Sequence, residues 1–163
     1  MIIGTLVGTQ AISERFLSKL HLINIDFPDK EDLSVIVVAY LSAIIRAFFP
    51  SANFSKPKVV KLAITMITIF NKIRDTPELH RQGFGSINPH DLVGWCNHLQ
   101  FYSTLQSEHF EVYILEAMCY EALKIFSDRL ARVEQKQTLL NILNDSIKAD
   151  WDLENIADQA SRH

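Results

Sequence analysis

The stretch Ile87-Asn88-Pro89-His90-Asp91-Leu92-Val93-Gly94-Trp95 is composed as the start of a helix. Asn88 suits the N-cap, because its side-chain oxygen can accept backbone N–H groups that the first turn leaves without partners. Pro89 follows at N1, where its missing N–H costs nothing and its fixed φ is already helical. Asp91 falls at N3, beside the positive end of the helix dipole. Leu92, Trp95, Cys96, Leu99 and Tyr102 then mark one apolar stripe at helical spacing. His90 is left at the mouth of this helix, where proteins commonly hold anions, phosphate among them.

Outward from this start the pattern stays helical. Asp29 is placed to cap a helix with Asp32 at N3, and Leu33, Ile36, Val37, Tyr40, Leu41, Ile44, Ile45 and Phe48 form its stripe up to Phe49-Pro50. Pro57 opens a helix to about Arg74 that is apolar on several faces, which predicts a place in the middle of the core. Residues 75–87, with Pro77, Gly83 and Gly85, are expected as a loop. A long helix is expected from about His109 to Val133, burying Val112, Leu115, Cys119, Phe126, Leu130 and Val133. A last helix is expected over 137–148, and the polar segment 149–163 as a fraying tail.

Upstream of Pro28 the character changes. Residues 12–19 suggest a short helix, and Leu20, Leu22, Ile23, Ile25 and Phe27 give the one good strand pattern, over 19–27. A single strand must pair with strands elsewhere in space. The expected fold is therefore mainly α: a bundle of four or five helices over 29–150, preceded by a helix-strand stub over 1–28 and followed by a polar tail over 151–163.

Composition narrows the function. The chain has 163 residues, 48% of them hydrophobic, enough for one domain with a real core or one compact piece of a larger protein. Lys and Arg number 16 against 19 Asp and Glu, so no basic footprint for nucleic acid exists. The apolar stretches are interrupted by Lys, Arg, Ser or Asn, and no membrane insertion is expected. Met1-Ile2-Ile3-Gly4 lacks a basic region of the secretory kind, and Cys96 and Cys119 fit buried, reduced thiols.

The usual catalytic constellations are missing. Gly4-Thr5-Leu6-Val7-Gly8-Thr9-Gln10 has one residue too few between its glycines for a phosphate loop, and no Lys follows. No apolar run ends in an Asp-Glu pair that could hold Mg²⁺ and orient water. Cys96, His98, His80, His90 and Cys119 form no metal-ligand pair, so neither a metal nor catalysis by this chain alone is expected. Two residues remain open in role. Arg15 is either a surface Arg paired with a nearby acid or a guanidinium projecting from a domain edge toward a phosphate. His90 is either a solvated helix-start residue or an anion contact.

Taken in order, three segments resemble a known family. Ile12-Ser13-Glu14-Arg15-Phe16, Ile23-Asn24-Ile25-Asp26-Phe27-Pro28 and Ala39-Tyr40-Leu41 resemble the end of an AAA+ large subdomain running into its helical lid. Ile87 to Trp95 resembles the dynein heavy chain lid motif, usually Phe-Ser-Pro-Arg-Asp-Leu-Thr-Arg-Trp. Tyr120-Glu121-Ala122-Leu123-Lys124-Ile125-Phe126-Ser127-Asp128-Arg129-Leu130 resembles the dynein pattern of an acidic residue, Ala, then a basic residue and Phe-x-Asp-Arg-Leu. Within that family the chain is most similar to the third AAA+ module. Asp26-Phe27-Pro28, Ala39-Tyr40-Leu41 and Ala149-Asp150-Trp151 resemble the cytoplasmic, intraflagellar-transport class.

The resemblance implies a fragment of an ATP-driven microtubule motor, holding the end of one large subdomain and its lid. ATP or ADP with Mg would be bound by the parent motor and not by the isolated chain. The implied partners are the remaining AAA+ modules of the heavy chain and, through the parent, microtubules and light and intermediate chains. The implied location is the cytoplasmic cytoskeleton, and a cilium or flagellum. Arg15 matches the arginine-finger position facing a neighbouring module, and His90 the sensor-2 position, within a lid motif of Asn88, Pro89, Asp91 and Trp95. His90 stands where the family has Arg, and Gly94 replaces its second basic residue. Imidazole offers no bidentate fork to a γ-phosphate, so these changes imply a regulatory site that binds nucleotide without rapid turnover. The alternative is a free-standing all-α protein–protein interaction module unrelated to nucleotide.

Overall fold

The structure, a computed structural model, describes residues 28–52, 54–80, 87–103, 109–130 and 132–162. The expected helix over 12–19 and strand over 19–27 lie outside the described residues, as do Arg15, Gly83 and Gly85. The described residues form six α-helices: α1 (Lys30–Phe48), α2 (Lys56–Asp75), α3 (Pro89–His98), α4 (Phe110–Ala122), α5 (Val133–Trp151) and α6 (Ile156–Ala160). None is long and apolar enough to cross a membrane.

Helix α1 begins as its sequence dictates, with the Asp29 side chain accepting the Asp32 N–H at 2.8 Å. Leu33, Val37, Leu41, Ile44 and Ile45 face inward. Ile36, Tyr40 and Phe48, expected on the same stripe, sit at its edge and stay partly exposed. Helix α2 is the central element. It packs on α1, α3 and α5 and buries nine residues, Val59 through Ile73, around more than one side, as a pattern apolar on several faces requires. Phe110, at the start of α4, meets the rings of Phe49 and Phe54 at centroid distances of 5.1 and 5.4 Å and closes the turn between α1 and α2.

Three expectations are corrected. The helix expected from His109 to Val133 is not continuous. It runs as α4, passes into a π-helical turn over Leu123–Ser127 and ends at Asp128 and Arg129. The wider turn shifts the phase of the stripe, so Phe126 and Leu130 are buried while Val133 is 80% exposed and opens the next helix. Arg132 has extended backbone, and its N–H donates to Gln135 Oε1 at 3.2 Å, which starts α5 four residues before the expected 137 and separates it from α4.

The loop expected over 75–87 holds a 3-10 turn at Pro77–His80, pinned to α5 where Gln135 Nε2 donates to the Glu78 carbonyl at 2.7 Å.

Nor is 151–163 a polar tail. Helix α5 continues to a buried Trp151, and α6 folds back to bury Ile156, Ala157 and Ala160 against α4 and α5. The reversal uses Asp152 and Asn155 at φ 56° and 60°, a left-handed conformation that Asp and Asn tolerate better than other side-chain-bearing residues. Asn144 then holds α6 from both sides: its Nδ2 donates to Asp158 Oδ2, and its Oδ1 accepts the Ala157 N–H, each at 3.0 Å.

Candidate functional site

The start of α3 has the geometry its sequence prescribes. Asn88 Oδ1 accepts the N–H groups of His90 at 2.9 Å and Asp91 at 3.3 Å, and Asp91 Oδ2 accepts the Asn88 N–H at 3.0 Å. This reciprocal capping box binds three N–H donors of the first turn, and the Asp91 N–H also reaches the Asn88 carbonyl at 3.0 Å. Pro89 occupies N1 and the His90 side chain is exposed at the mouth.

The second motif meets the first here. Arg129 forks onto Asp91, with Nη1 on Oδ2 at 3.1 Å and Nη2 on Oδ1. Asp91 thus joins the cap of α3 to the segment that follows the π-helical turn. Burial alone would raise the Asp91 carboxyl, but the Arg129 fork, the Asn88 N–H and the nearby Arg129 charge hold it below the usual range. The same contact raises Arg129.

Trp95 is the anchor beneath. It is fully buried, its Nε1 donates to the Met118 carbonyl at 2.9 Å, and its ring meets Phe126 edge-on at 5.7 Å. An indole that places both its area and its N–H fixes position as well as contributing energy. The Phe of Phe-x-Asp-Arg-Leu is therefore the partner of the Trp that closes the lid motif.

The far end of α3 is fixed by the acidic residue of the second motif. Glu121 is buried, and its carboxylate accepts from Tyr102 Oη at 2.7 Å and Lys124 Nζ at 3.2 Å and lies 2.7 Å from His98 Nδ1. Burial pulls its pKa up, yet the bonds from Tyr102, His98 and Lys124 outweigh it and hold the carboxylate below the ordinary 4.5. Burial, followed by contact with Glu121, raises Tyr102. The cysteines are fully buried: burial pushes Cys96 up to about 12 and raises Cys119 as well, so neither is a nucleophile.

The structure therefore brings together Asn88, Pro89, His90, Asp91 and Trp95 around one helix start. Arg129 and Glu121 had no individual role assigned from sequence, and Phe126 only a buried place. The clue was chemical complementarity between the motifs, a carboxylate and an indole in one against a guanidinium and a phenyl ring in the other. Among the described residues no cluster of three or more His, Cys, Asp or Glu could hold a metal ion. A groove of about 550 Å³ lined by Lys30, Asn71, Lys72 and Asp145 takes in none of the motif residues.

Among the described residues these features define a helical bundle organised around a capped helix start and the second motif that clamps it. The family model of the dynein heavy chain ATPase lid domain matches residues 40–136, and the chain belongs to that family. Among its relatives, cytoplasmic dynein 2 heavy chain 1 of Tripneustes gratilla is 32% identical over 160 residues, which cover 96% of this chain and 4% of that protein. Its counterpart in Mus musculus is 29% identical over 162 residues, 95% of this chain and 4% of the relative. Dynein heavy chain-like protein 1 of Plasmodium falciparum is 30% identical over 143 residues, 86% of this chain and 3% of the relative. The cytoplasmic class recurs among these similarities, in keeping with the resemblance of Ala39-Tyr40-Leu41 and Ala149-Asp150-Trp151. The chain spans only a few per cent of the length of these relatives, 3–4% in the three described. No solved structure matches it.

Proposed function

We propose that this chain is the lid of a regulatory AAA+ module, the third in a dynein motor ring. In this reading the lid moves as a rigid body against its large subdomain as nucleotide contacts change. His90, at the sensor-2 position, faces the nucleotide of its own module. Arg15 faces the nucleotide of the neighbouring module. The isolated chain carries out no catalysis. ATP or ADP with Mg belongs to the parent, whose partners are the other ring modules, microtubules and the light and intermediate chains. The parent works on the cytoplasmic cytoskeleton, in a cilium or flagellum.

The observation that carries this reading is the junction of the two motifs. Asp91 and Trp95 of one are tied to Arg129 and Phe126 of the other, and the clamped element is the one that presents His90. A helix mouth held this firmly keeps a constant geometry as the lid moves, which a contact to phosphate requires. Replacing the sensor Arg by His removes the fork and leaves a weaker contact, suited to binding and regulation.

The test is made in the whole motor. His90→Arg restores a charge-assisted contact and is expected to tighten nucleotide at this module about tenfold, the worth of one hydrogen bond to a charged group. His90→Ala is expected to weaken it. If neither change moves nucleotide affinity at this module, His90 does not face the nucleotide.

A further inference from the structure

The side chains that the second motif turns toward α3 are spaced as an α-helix would not space them. Glu121 reaches His98 and Tyr102, and Phe126, five residues on, meets the Trp95 ring. Five steps of an α-helix leave two side chains about 140° apart. A π-helical turn closes on the fifth residue and brings them into line, and Leu123–Ser127 is such a turn. Arg129 then falls opposite Asp91, with its fork on both carboxylate oxygens. Contacts with α3 on either side of the turn therefore impose a conformation that helices rarely adopt by themselves.

The ordinary alternative is written into the same residues. An α turn closes on the fourth residue, so each side chain beyond it would take the place of its successor. Ile125, partly buried against the core, would meet Trp95 in place of Phe126. Asp128 would stand opposite Asp91 in place of Arg129, and the surplus residue would pass into the turn before α5. An apolar side chain suits Trp95 in either register. The charges do not: Arg129 attracts Asp91, and Asp128 repels it.

We propose that Leu123–Ser127 is a register switch between α3 and α5, held in its π state by the charge of Asp91 at the start of α3. Displacing α3 or removing that charge lets the turn reset to the α register. Residues beyond the turn then rotate by about 100°, one helical step, and a side-chain tip there moves by about 8 Å. The turn also packs against α5, so the reset is passed to that helix. This inference needs no nucleotide contact and stands apart from the reading of His90.

The experiment is NMR on the full 163-residue chain, reading which side chain gives cross-relaxation to the Trp95 ring. The unaltered chain is expected to show Phe126. Asp128→Arg with Arg129→Asp moves the guanidinium back by one residue, so the α register regains the pair with Asp91. That variant is expected to shift the register equilibrium at least tenfold, the worth of one hydrogen bond to a charged group, and to replace the Phe126 signals by those of Ile125. Ile125→Phe with Phe126→Ile moves the ring instead of the charge, and the side chain at 125 is expected to gain contact with Trp95. A turn with one register predicts that position 126 stays on Trp95 in both variants while the chain merely melts earlier, and that result overturns the proposal. Where one variant does not fold, the other decides. A switch offers each of them a satisfied register, so loss of the fold in both overturns it as well.

Discussion

Replacing Thr65 by Val isolates one buried polar contact between α2 and α5, separate from the Lys72–Ser146 bond at 3.0 Å. Thr65 is fully buried. Its Oγ1 accepts Trp151 Nε1–H at 3.0 Å, and it lies 2.6 Å from Asp150 Oδ2 and 3.1 Å from the Lys61 carbonyl, either of which can take its single proton. Val has nearly the same shape, so the substitution leaves no cavity and the cost is purely polar. Trp151, 7% exposed, is left with a buried N–H and no acceptor, and Asp150 loses a short hydrogen bond. An orphaned buried donor costs about 1–3 kcal/mol, and a bond to a charged acceptor contributes about 1.5–3 kcal/mol. The two overlap, because breaking one hydroxyl disturbs both, so a loss of about 2–4 kcal/mol is expected. For a domain of this size that corresponds to a Tm lower by roughly 5–15 °C. Chemical denaturation of Thr65→Val, Trp151→Phe and the double variant gives the coupling. Trp151→Phe removes the orphaned N–H, so the double variant is expected to recover about 1–2 kcal/mol relative to additivity. A loss below about 0.5 kcal/mol for Thr65→Val, or strict additivity in the cycle, refutes the hydroxyl as the joint between these helices.

Other consequences follow from the same contacts. Both Glu121 and Asp91 have depressed carboxyl pKa values, so their contribution is complete above their ordinary values of 4.5 and 3.8 and is lost as pH falls through the lower folded values. Stability from these groups should hold near neutrality and collapse in acid, and Glu121→Gln should cost about 1.5–3 kcal/mol at pH 7 while flattening the acid limb of a pH–denaturation profile. Asn144→Ala removes both bonds that hold α6 and should raise amide exchange over 156–160 selectively, with a stability loss of about 1–2 kcal/mol. Trp95→Phe keeps a ring against Phe126 but leaves the Met118 carbonyl without its side-chain donor; a loss of about 1.5–3 kcal/mol by denaturant titration is expected. Asp152→Gly relieves the left-handed backbone after α5 and should raise Tm, equivalent to about 0.5–1 kcal/mol.

Much of the fold is legible where the physics is local. The caps at Asp29 and Asn88 act between residues three apart, and the structure shows both bonds. The pattern of α2, apolar on several faces, puts it at the centre, where α1, α3 and α5 cover those faces while Lys61 and Ile64 stay at the surface. Legibility fails where a distant contact overrides local pattern. An unbroken apolar period from Val112 to Val133 suggests one helix, but the π-helical turn and the packing of Phe126 on Trp95 end it early. The segment after 150 has few large apolar residues and so resembles a tail. Its Ile156, Ala157 and Ala160 gain burial only because α4 and α5 lie ready beside them, with Asn144 supplying the polar fit.

The candidate site divides in the same way. The sequence by itself determined the helix start that carries His90 and the family to which the chain is assigned. Each of these depends on residue identity and short spacing, which a linear chain records directly. Only the tertiary structure decided that Asp91 is neutralised by Arg129, that Trp95 is seated on Phe126, and that Glu121 gathers His98, Tyr102 and Lys124. Those partners lie 19 to 38 residues apart along the chain, apart from Lys124, which is three from Glu121. Hydrogen bonds act over about 3 Å and buried charges depend on what excludes water around them, so such partners become visible only once the helices have packed.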